Sequence, residues 1–418
     1  MPSPIPRRLR GGQRFVTLPK NLLLNSGTLL EGFEAAADWM PAAGAGADNT
    51  TQFVQGSGSV KATTDSGATE TLVKTVAWDL STMQQLRMQF YLHDLAATYG
   101  GHLHIHLSDH ANLDRYWRIY TLGSVLKTVG WHQIAYPKNW FGAIGGSAAW
   151  ASIIRARFQV QAASGQTPSV SFDNLLTGVV GAPFVIITFD DGYLSQYNIC
   201  YQYMRSHGIR GTLYCRTSVP NAATTLTYAH LREMDGSGWT IGNHTRDHNS
   251  LGGETQANQE TYIGQGASDL VANGLARGAG HLAYPAGSYD DNSLLACTAQ
   301  SVLTARTTNG CDRQQSNPMP PTILPPSFGW HELGCTPINN AAPTLTQAKA
   351  MIDDAITGGV GITMLFHDVG TAGAGNCTEA NFKAIIDYIV SKQGQITPIT
   401  MADYYALQAG PLSVPVPY

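Results

Sequence analysis

Three short segments hold residue types suited to hydrolytic chemistry. In Thr188-Phe189-Asp190-Asp191-Gly192, two adjacent carboxylates follow an apolar run. Neighbouring carboxylates repel unless a cation or a proton separates them. A cation on one and a proton-transfer role for the other would resolve the repulsion, and Gly192 permits the turn that aims both at one pocket. In Asn243-His244-Thr245-Arg246-Asp247-His248, two imidazoles stand at i and i+4, a spacing that faces one ion from a helix or a tight loop. With one carboxylate they make a two-histidine, one-carboxylate set that leaves positions open to water. In Leu365-Phe366-His367-Asp368, an imidazole ends another apolar run, where it can donate a proton to a leaving group. Singly, each segment also fits an ordinary turn, a surface loop or a satisfied histidine.

These segments need elements that bring them together. From residue 179 onward, strands alternate with helices. Residues 184–189 form a continuous apolar run, the mark of a strand buried on both faces. Helices are expected over 197–207, 228–236, 255–273, 290–299, 344–357 and 378–392. Strands are expected over 211–215, 239–243, 281–284, 303–307, 361–366 and 397–400. Repeated βα units imply a parallel sheet, either a barrel or doubly wound. In a parallel barrel the chemistry sits at the C-terminal strand ends, where all three segments fall.

The order Asp-Asp-Gly, His-x3-His, Leu-x-His resembles the polysaccharide deacetylase family, also called NodB-homology or carbohydrate esterase family 4. The resemblance covers roughly 182–405, and Leu282-Ala283-Tyr284-Pro285-Ala286-Gly287-Ser288-Tyr289 looks like the family's third motif. It implies a distorted (β/α)7 barrel. It further implies Asp191, His244 and His248 as metal ligands, Asp190 as general base, His367 as general acid and the Ala286 N–H as oxyanion donor. The cofactor implied is one divalent ion, zinc first, with cobalt, nickel, manganese or iron as alternatives. Where many members carry an arginine and an aromatic residue in the third motif, this chain has Ala283 and Ala286. Arg306, at the next strand end, is the expected substitute supporting the base. Tyr284, Pro285 and Trp330 are expected substrate contacts, and Trp330 and Asp312 are candidates for a fourth motif.

Residues 29–178 read as all-β. Short alternating runs over 59–62, 71–78, 86–92, 102–107, 116–122, 131–136, 153–161 and 170–176 are separated by Gly, Ser, Asp and Asn clusters. Such spacing predicts a jelly-roll sandwich. Glu31-Gly32-Phe33-Glu34, Gly56-Ser57-Gly58-Ser59-Val60, Asp79-Leu80-Ser81, Gly130-Trp131-His132 and Ser171-Phe172-Asp173-Asn174 resemble pieces of carbohydrate-binding jelly-roll modules. The expected organisation is thus an arm or attachment segment at 1–28, a β-sandwich carbohydrate-binding-like domain at 29–178 and a catalytic domain at 179–418. In His102-Leu103-His104-Ile105-His106, three imidazoles share one strand face about 6.6 Å apart, too spread to reach one ion without a bend. A solvent-facing or sugar-contacting row is expected there. Trp117, Trp131, Trp140 and Trp150 could form a stacking platform, with core packing expected for at least half.

Composition narrows the partners. Charged residues make up 13% of the 418 residues, against about 25% on average, and the net charge is -4. Such a surface suits a neutral polymer and gives no electrostatic case for nucleic acid. No apolar run reaches the length of a membrane helix. The six cysteines form no CxxC pair, and they allow fifteen full disulfide pairings. Cys200 and Cys215 equally fit buried free thiols. The start carries Arg residues without an apolar h-region. An extracellular, cell-surface or phage virion location is therefore expected, with a homotrimer or virion component as the assembly.

The expected activity is hydrolytic deacetylation of an acetylated polysaccharide, with N-acetylhexosamine units as substrate. One alternative is an O-acetyl esterase on xylan or a capsular or exopolysaccharide. Another is a catalytically silent carbohydrate-binding or virion protein.

Overall fold

The fold is that of a computed structural model, which describes residues 27–41, 46–94, 102–122, 129–177, 183–308, 330–339, 343–370, 373 and 375–409. Residues 1–26 of the expected arm, Cys311 and Asp312 lie outside the described residues, as do residues 178–182 around the expected domain boundary.

The front half forms two antiparallel six-stranded sheets, and the chain passes repeatedly between them. In chain order the strands are β1 (Thr28–Glu31), β2 (Met40–Pro41), β3 (Ala47–Asn49), β4 (Ser59–Thr63), β5 (Thr69–Trp78) and β6 (Gln85–Leu92). They continue with β7 (His102–Ser108), β8 (Tyr116–Leu122), β9 (Gly130–Pro137), β10 (Gly142–Ile144), β11 (Ile153–Gln161) and β12 (Ser169–Thr177). One sheet runs β3-β4-β12-β6-β9 with β1 on β12, and the other runs β10-β8-β7-β11-β5-β2. Alternating side chains of both sheets meet in one core, with Leu103, Ile105 and Leu107 of β7 packed with Phe90 of β6 and Phe172 of β12. The three imidazoles of β7 alternate with these core residues. The short strands β1, β2, β3 and β10 were absent from the sequence expectation. Each has two to four residues, too few to show a period.

The back half is a parallel sheet. Its strands are β13 (Phe184–Asp191), β14 (Thr212–Cys215), β15 (Thr240–Asn243), β16 (His281–Ala283), β17 (Thr304–Arg306), β18 (Thr336–Pro337), β19 (Gly361–Phe366) and β20 (Thr397–Ile399). The order is β17-β16-β15-β14-β13-β19-β18, with β20 also on β13. An isolated parallel bridge, Arg306 to Leu333, joins β17 to the segment leading into β18, so the sheet curls toward closure. Among the described residues the expected distorted (β/α)7 barrel is present as a curled parallel sheet of eight strands. Every residue of β13 is buried, as a central parallel strand requires.

Helices α1 (Gln202–Ser206), α2 (Tyr228–Gly236), α3 (Gln256–Ala272), α4 (Asp291–Ala299), α5 (Leu345–Gly358), α6 (Glu379–Ser391) and α7 (Met401–Ala409) connect or follow the strands. Their starts follow from side-chain caps. Thr227, Thr255, Asp290, Thr344 and Thr378 each accept a bond from the backbone N–H three residues on. Helix α5 ends at Gly359, whose φ of 63° suits glycine.

The two halves touch through α5. Gln85 Nε2 of β6 donates to the carbonyl oxygens of Gly358 (3.4 Å) and Gly359 (3.1 Å), and Asn139 donates to Asp354 at 2.8 Å. Ala135 of β9 belongs to the same apolar cluster as Met351 and Ala355 of α5. A Cβ on Gly358 would lie 2.8 Å from Pro137 Cβ, so only glycine allows this approach without a shift.

Candidate active site

The site forms at the C-terminal ends of β13, β15, β17 and β19. Strand β13 continues through both aspartates, and the backbone turns left-handed at Asp191 (φ 77°) before Gly192 (φ 82°). The turn therefore begins one residue earlier than the glycine suggests. Aspartate tolerates that conformation better than most residues. The turn brings toward one imidazole two side chains that a straight strand would send to opposite faces: His244 Nε2 lies 3.9 Å from Asp190 Oδ2 and 3.8 Å from Asp191 Oδ1.

The segment after β15 is a loop, with Thr245 at φ 57° and His248 at φ 61°. Asn243 Oδ1 accepts the Thr245 N–H at 2.8 Å and fixes the first bend. Such strained positions concentrate where a site is over-determined by its surroundings. The result brings one ligand atom from each of Asp191, His244 and His248 within 4.8 Å of the others. His248 Nε2 is 3.6 Å from Asp191 Oδ1, and His244 Nε2 is 3.8 Å from it.

His244 shows which nitrogen is free. Its Nδ1 lies 2.8 Å from the carbonyl oxygen of Ala283, which can only accept, so Nδ1 carries the proton. Nε2 then presents a lone pair toward the aspartates, the tautomer a metal ligand needs. Burial pushes the His244 pKa down, against the opposing pull of Asp190 and Asp191, and favours that neutral form. Two imidazole nitrogens and one carboxylate are a donor set that fits a divalent transition metal, so a resident ion is compatible with these residues.

Asp190 is 1% exposed. Burial alone would raise its pKa, but Arg306, His244 and His367 outweigh that and hold the carboxylate ionised. Arg306 Nη2 donates to both carboxylate oxygens, at 2.5 and 2.6 Å. The guanidinium is itself buried, lies over the Tyr214 ring at 5.1 Å and donates through Nη1 to Cys335 Sγ at 3.1 Å. Arg306, expected from its strand end to support the carboxylate, thus reaches Asp190 from β17.

The expected substrate contacts fare differently. Tyr284 is fully buried; its hydroxyl donates to the His331 carbonyl at 2.9 Å and its ring stacks on Tyr289. Pro285 is also buried, in a 3-10 turn. Ala286 follows it in the left-handed region at φ 53°. Trp330 packs with Phe184 and Tyr404, at the end of β13 opposite to Asp190. Tyr284 therefore does not line an open groove, since a tyrosine whose hydroxyl finds a carbonyl can be buried whole, while Trp330 stays half-buried against Tyr404.

Three neighbours were missed by sequence reading. Arg216, just past β14, has Nε 3.3 Å from Asp191 Oδ1. Its place after a strand end was the only signal. Tyr214 and Gln196 pack behind the base and give no local pattern.

The three histidines of β7 do not form a second metal centre. Their neighbouring ring centroids are 5.6 Å apart, His106 Nδ1 accepts from Arg157 Nε at 2.6 Å, and the Tyr116 ring lies 4.6 Å from His106. Among the described residues, Asp191, His244 and His248 are the one converging ligand group. The tryptophans do not share a platform. Trp140 is buried, Trp117 stacks on Trp150 against the sandwich core, and Trp131 meets Tyr91 edge-on. The five described cysteines are buried free thiols.

Comparison with known proteins bears on the back half. The family profile described as "Polysaccharide deacetylase" matches residues 177–302, which include Asp190, Asp191, His244, His248 and Ala286. A Bacillus subtilis (strain 168) protein described as "Putative polysaccharide deacetylase YxkH" is 30% identical over 112 residues, covering 27% of this chain and 40% of that protein. The chain thus spans less than half the length of this curated relative. Among solved structures, the Streptococcus pyogenes deacetylase PplD in complex with acetate is 26% identical over 30% of this chain and 56% of its own, with a TM-score of 0.29. A Clostridium thermocellum family 4 acetyl xylan esterase in complex with a cobalt ion is 17% identical over 55% of this chain and 93% of its own, with a TM-score of 0.37. Residues 177–302 of this chain are thus similar to the polysaccharide deacetylase family.

Proposed function

We propose that the protein removes acetyl groups hydrolytically from an acetylated polysaccharide, with N-acetylhexosamine units as substrate. The observation that carries this reading is one carboxylate grouped with two imidazoles beside a second carboxylate clamped by arginine. A structural metal site needs no clamped, ligand-free carboxylate next to it.

Asp191, His244 and His248 would hold one divalent ion, zinc by the nature of the donors. Bound there, it would supply Lewis acidity to the acetyl group and acidify water. Asp190 takes a proton from the water that attacks the acetyl carbon. Arg306 keeps that carboxylate ionised and fixes both its oxygens, so it meets the water in one orientation. The Ala286 N–H is the oxyanion donor, an interaction typically worth about 3–4 kcal/mol. His367 gives a proton to the sugar nitrogen as the C–N bond breaks, leaving acetate and an amine. An amide nitrogen leaves poorly unless protonated, so a placed acid favours N-acetyl over O-acetyl substrates.

The front sandwich serves as a jelly-roll carbohydrate-binding module. Its support is a shared two-sheet core and a row of rings, His102, His104 and Tyr120, with the Arg118 guanidinium over the Tyr120 ring. Polymer hydrolysis of this kind belongs outside the cell or on a virion.

Acetate release from chitooligosaccharides, peptidoglycan, poly-N-acetylglucosamine and acetylated xylan tests the substrate. Release from at least one N-acetylated polymer, above that from xylan, is expected. Release from xylan alone would move the reading to an O-acetyl esterase, and release from none would leave a silent binding protein.

A further inference from the structure

The parallel ladder between β13 and β19 runs from Phe184–Gly361 to Phe189–Phe366 and stops there. The next residues are Asp190 and His367, the base and acid of the proposed reaction. Beyond the ladder, one side chain joins them. Gln196 is fully buried, and its Nε2 donates to the carbonyl oxygen of Asp190 at 2.5 Å and to that of His367 at 3.1 Å. Both partners only accept, so the amide must present its NH2 group here, and its orientation is fixed.

The same turn is fastened a second time. Ser195 Oγ donates to Asp368 Oδ1 at 2.5 Å and accepts from the Val369 N–H at 3.2 Å. Gln196 also opens a widened helical turn, Gln196–Tyr201, that leads into α1. Such turns are seldom kept without a local need. The Gln196 Oε1 is buried with no hydrogen-bond partner among the described residues. Leaving a polar atom unsatisfied costs about 1–3 kcal/mol, so apolar packing would serve a purely structural role better.

We propose that Gln196 is a positioning residue that sets the placement of His367 relative to Asp190, and so governs proton delivery to the leaving group. This rests on the deacetylase reading above. Gln196 touches no reacting atom; it replaces the ladder bonds that end one residue too early. Without it, residues 368–370 stay tied to Ser195 and to Cys377, whose N–H donates to the Asp368 carbonyl at 3.1 Å, but the His367 carbonyl loses its link to Asp190 and can drift by a few tenths of an ångström, enough to lengthen a proton transfer.

The test separates leaving groups. 4-Nitrophenyl acetate expels a stable phenolate and needs no acid, whereas an N-acetyl oligosaccharide does. Gln196→Met keeps the volume and removes the donors. Its kcat on the oligosaccharide should fall at least tenfold more than its kcat on 4-nitrophenyl acetate. KM and the affinity for zinc alone, read by calorimetry, should stay within about twofold of wild type. Equal losses on both substrates, or no loss on either, would overturn the assignment. If Gln196→Met does not fold, Ser195→Ala loosens the same segment and is read by the same ratio, a preferential oligosaccharide loss supporting the role and an unchanged ratio overturning it. A wild-type protein inactive on every acetylated oligosaccharide would instead defeat the deacetylase reading itself.

Discussion

Arg306 and Asp190 stand 116 residues apart in sequence and meet in a two-point clamp, with one guanidinium nitrogen on both carboxylate oxygens. Both side chains are buried, at 0% and 2% exposure. A buried pair adds little net stability over an apolar one, but breaking it by removing one partner costs about 3–5 kcal/mol. Arg306→Met should therefore lower stability by that order, and its kcat should fall at least tenfold. Arg306→Lys keeps the charge without the planar fork and should retain more stability than Arg306→Met while still losing activity. Chemical denaturation and acetate release on purified variants check both.

Asp190→Asn should separate binding from chemistry. It leaves Asp191, His244 and His248 in place and removes the proton acceptor. Zinc affinity, measured by calorimetry, should remain, while kcat should fall by about 10²–10⁴. Full activity with metal retained would place the base elsewhere.

His281 supplies a stability signal away from the active site. It is buried at the start of β16, with Nδ1 2.9 Å from Thr304 Oγ1. Burial, aided by Arg277, pushes its pKa down to about 4. Unfolded, it returns to about 6.5. Between those values the unfolded chain binds the proton and the folded one refuses it, so stability present above pH 6.5 drains as pH falls toward 4. Each unit of depression is worth about 1.4 kcal/mol. His281→Asn should show a shallower loss of stability over pH 6.5 to 4 than wild type. Equal slopes would mean that His281 stays solvated.

Gly358 tests how the halves depend on each other. Gly358→Ala puts a methyl group against Pro137, and overpacking of this kind typically costs about 1–3 kcal/mol. The melting temperature should drop with little change in KM. An unchanged melting temperature would mean that the sandwich does not press on α5 in solution.

The back half was readable because its signals are local. Thr255, Thr344 and Thr378 open the expected helices, Gly236 closes one, and the apolar run from Phe184 marks a strand buried on both faces. The candidate metal-ligand group was readable for the same reason, since Asp191, His244 and His248 sit at or just past strand ends. What depends on distant packing was harder. Arg306 could be nominated only by its place at the end of β17; its clamp on Asp190 depends on the curl of the sheet. Tyr284 read as a groove aromatic, yet a carbonyl partner takes it inside, and Trp330 packs half-buried on an apolar cluster at the other end of β13. Gln196 carries no local signature, because both its partners are backbone carbonyls.

The central claim is that one ion held by Asp191, His244 and His248 enables acetate release. Strip the full chain with a chelator, then titrate zinc back while measuring acetate from an N-acetylated oligosaccharide. Release should vanish on stripping and return at one zinc per chain, and His248→Ala should show neither the site nor the recovery at that ratio. Undiminished release from stripped protein, or from His248→Ala, would contradict the account.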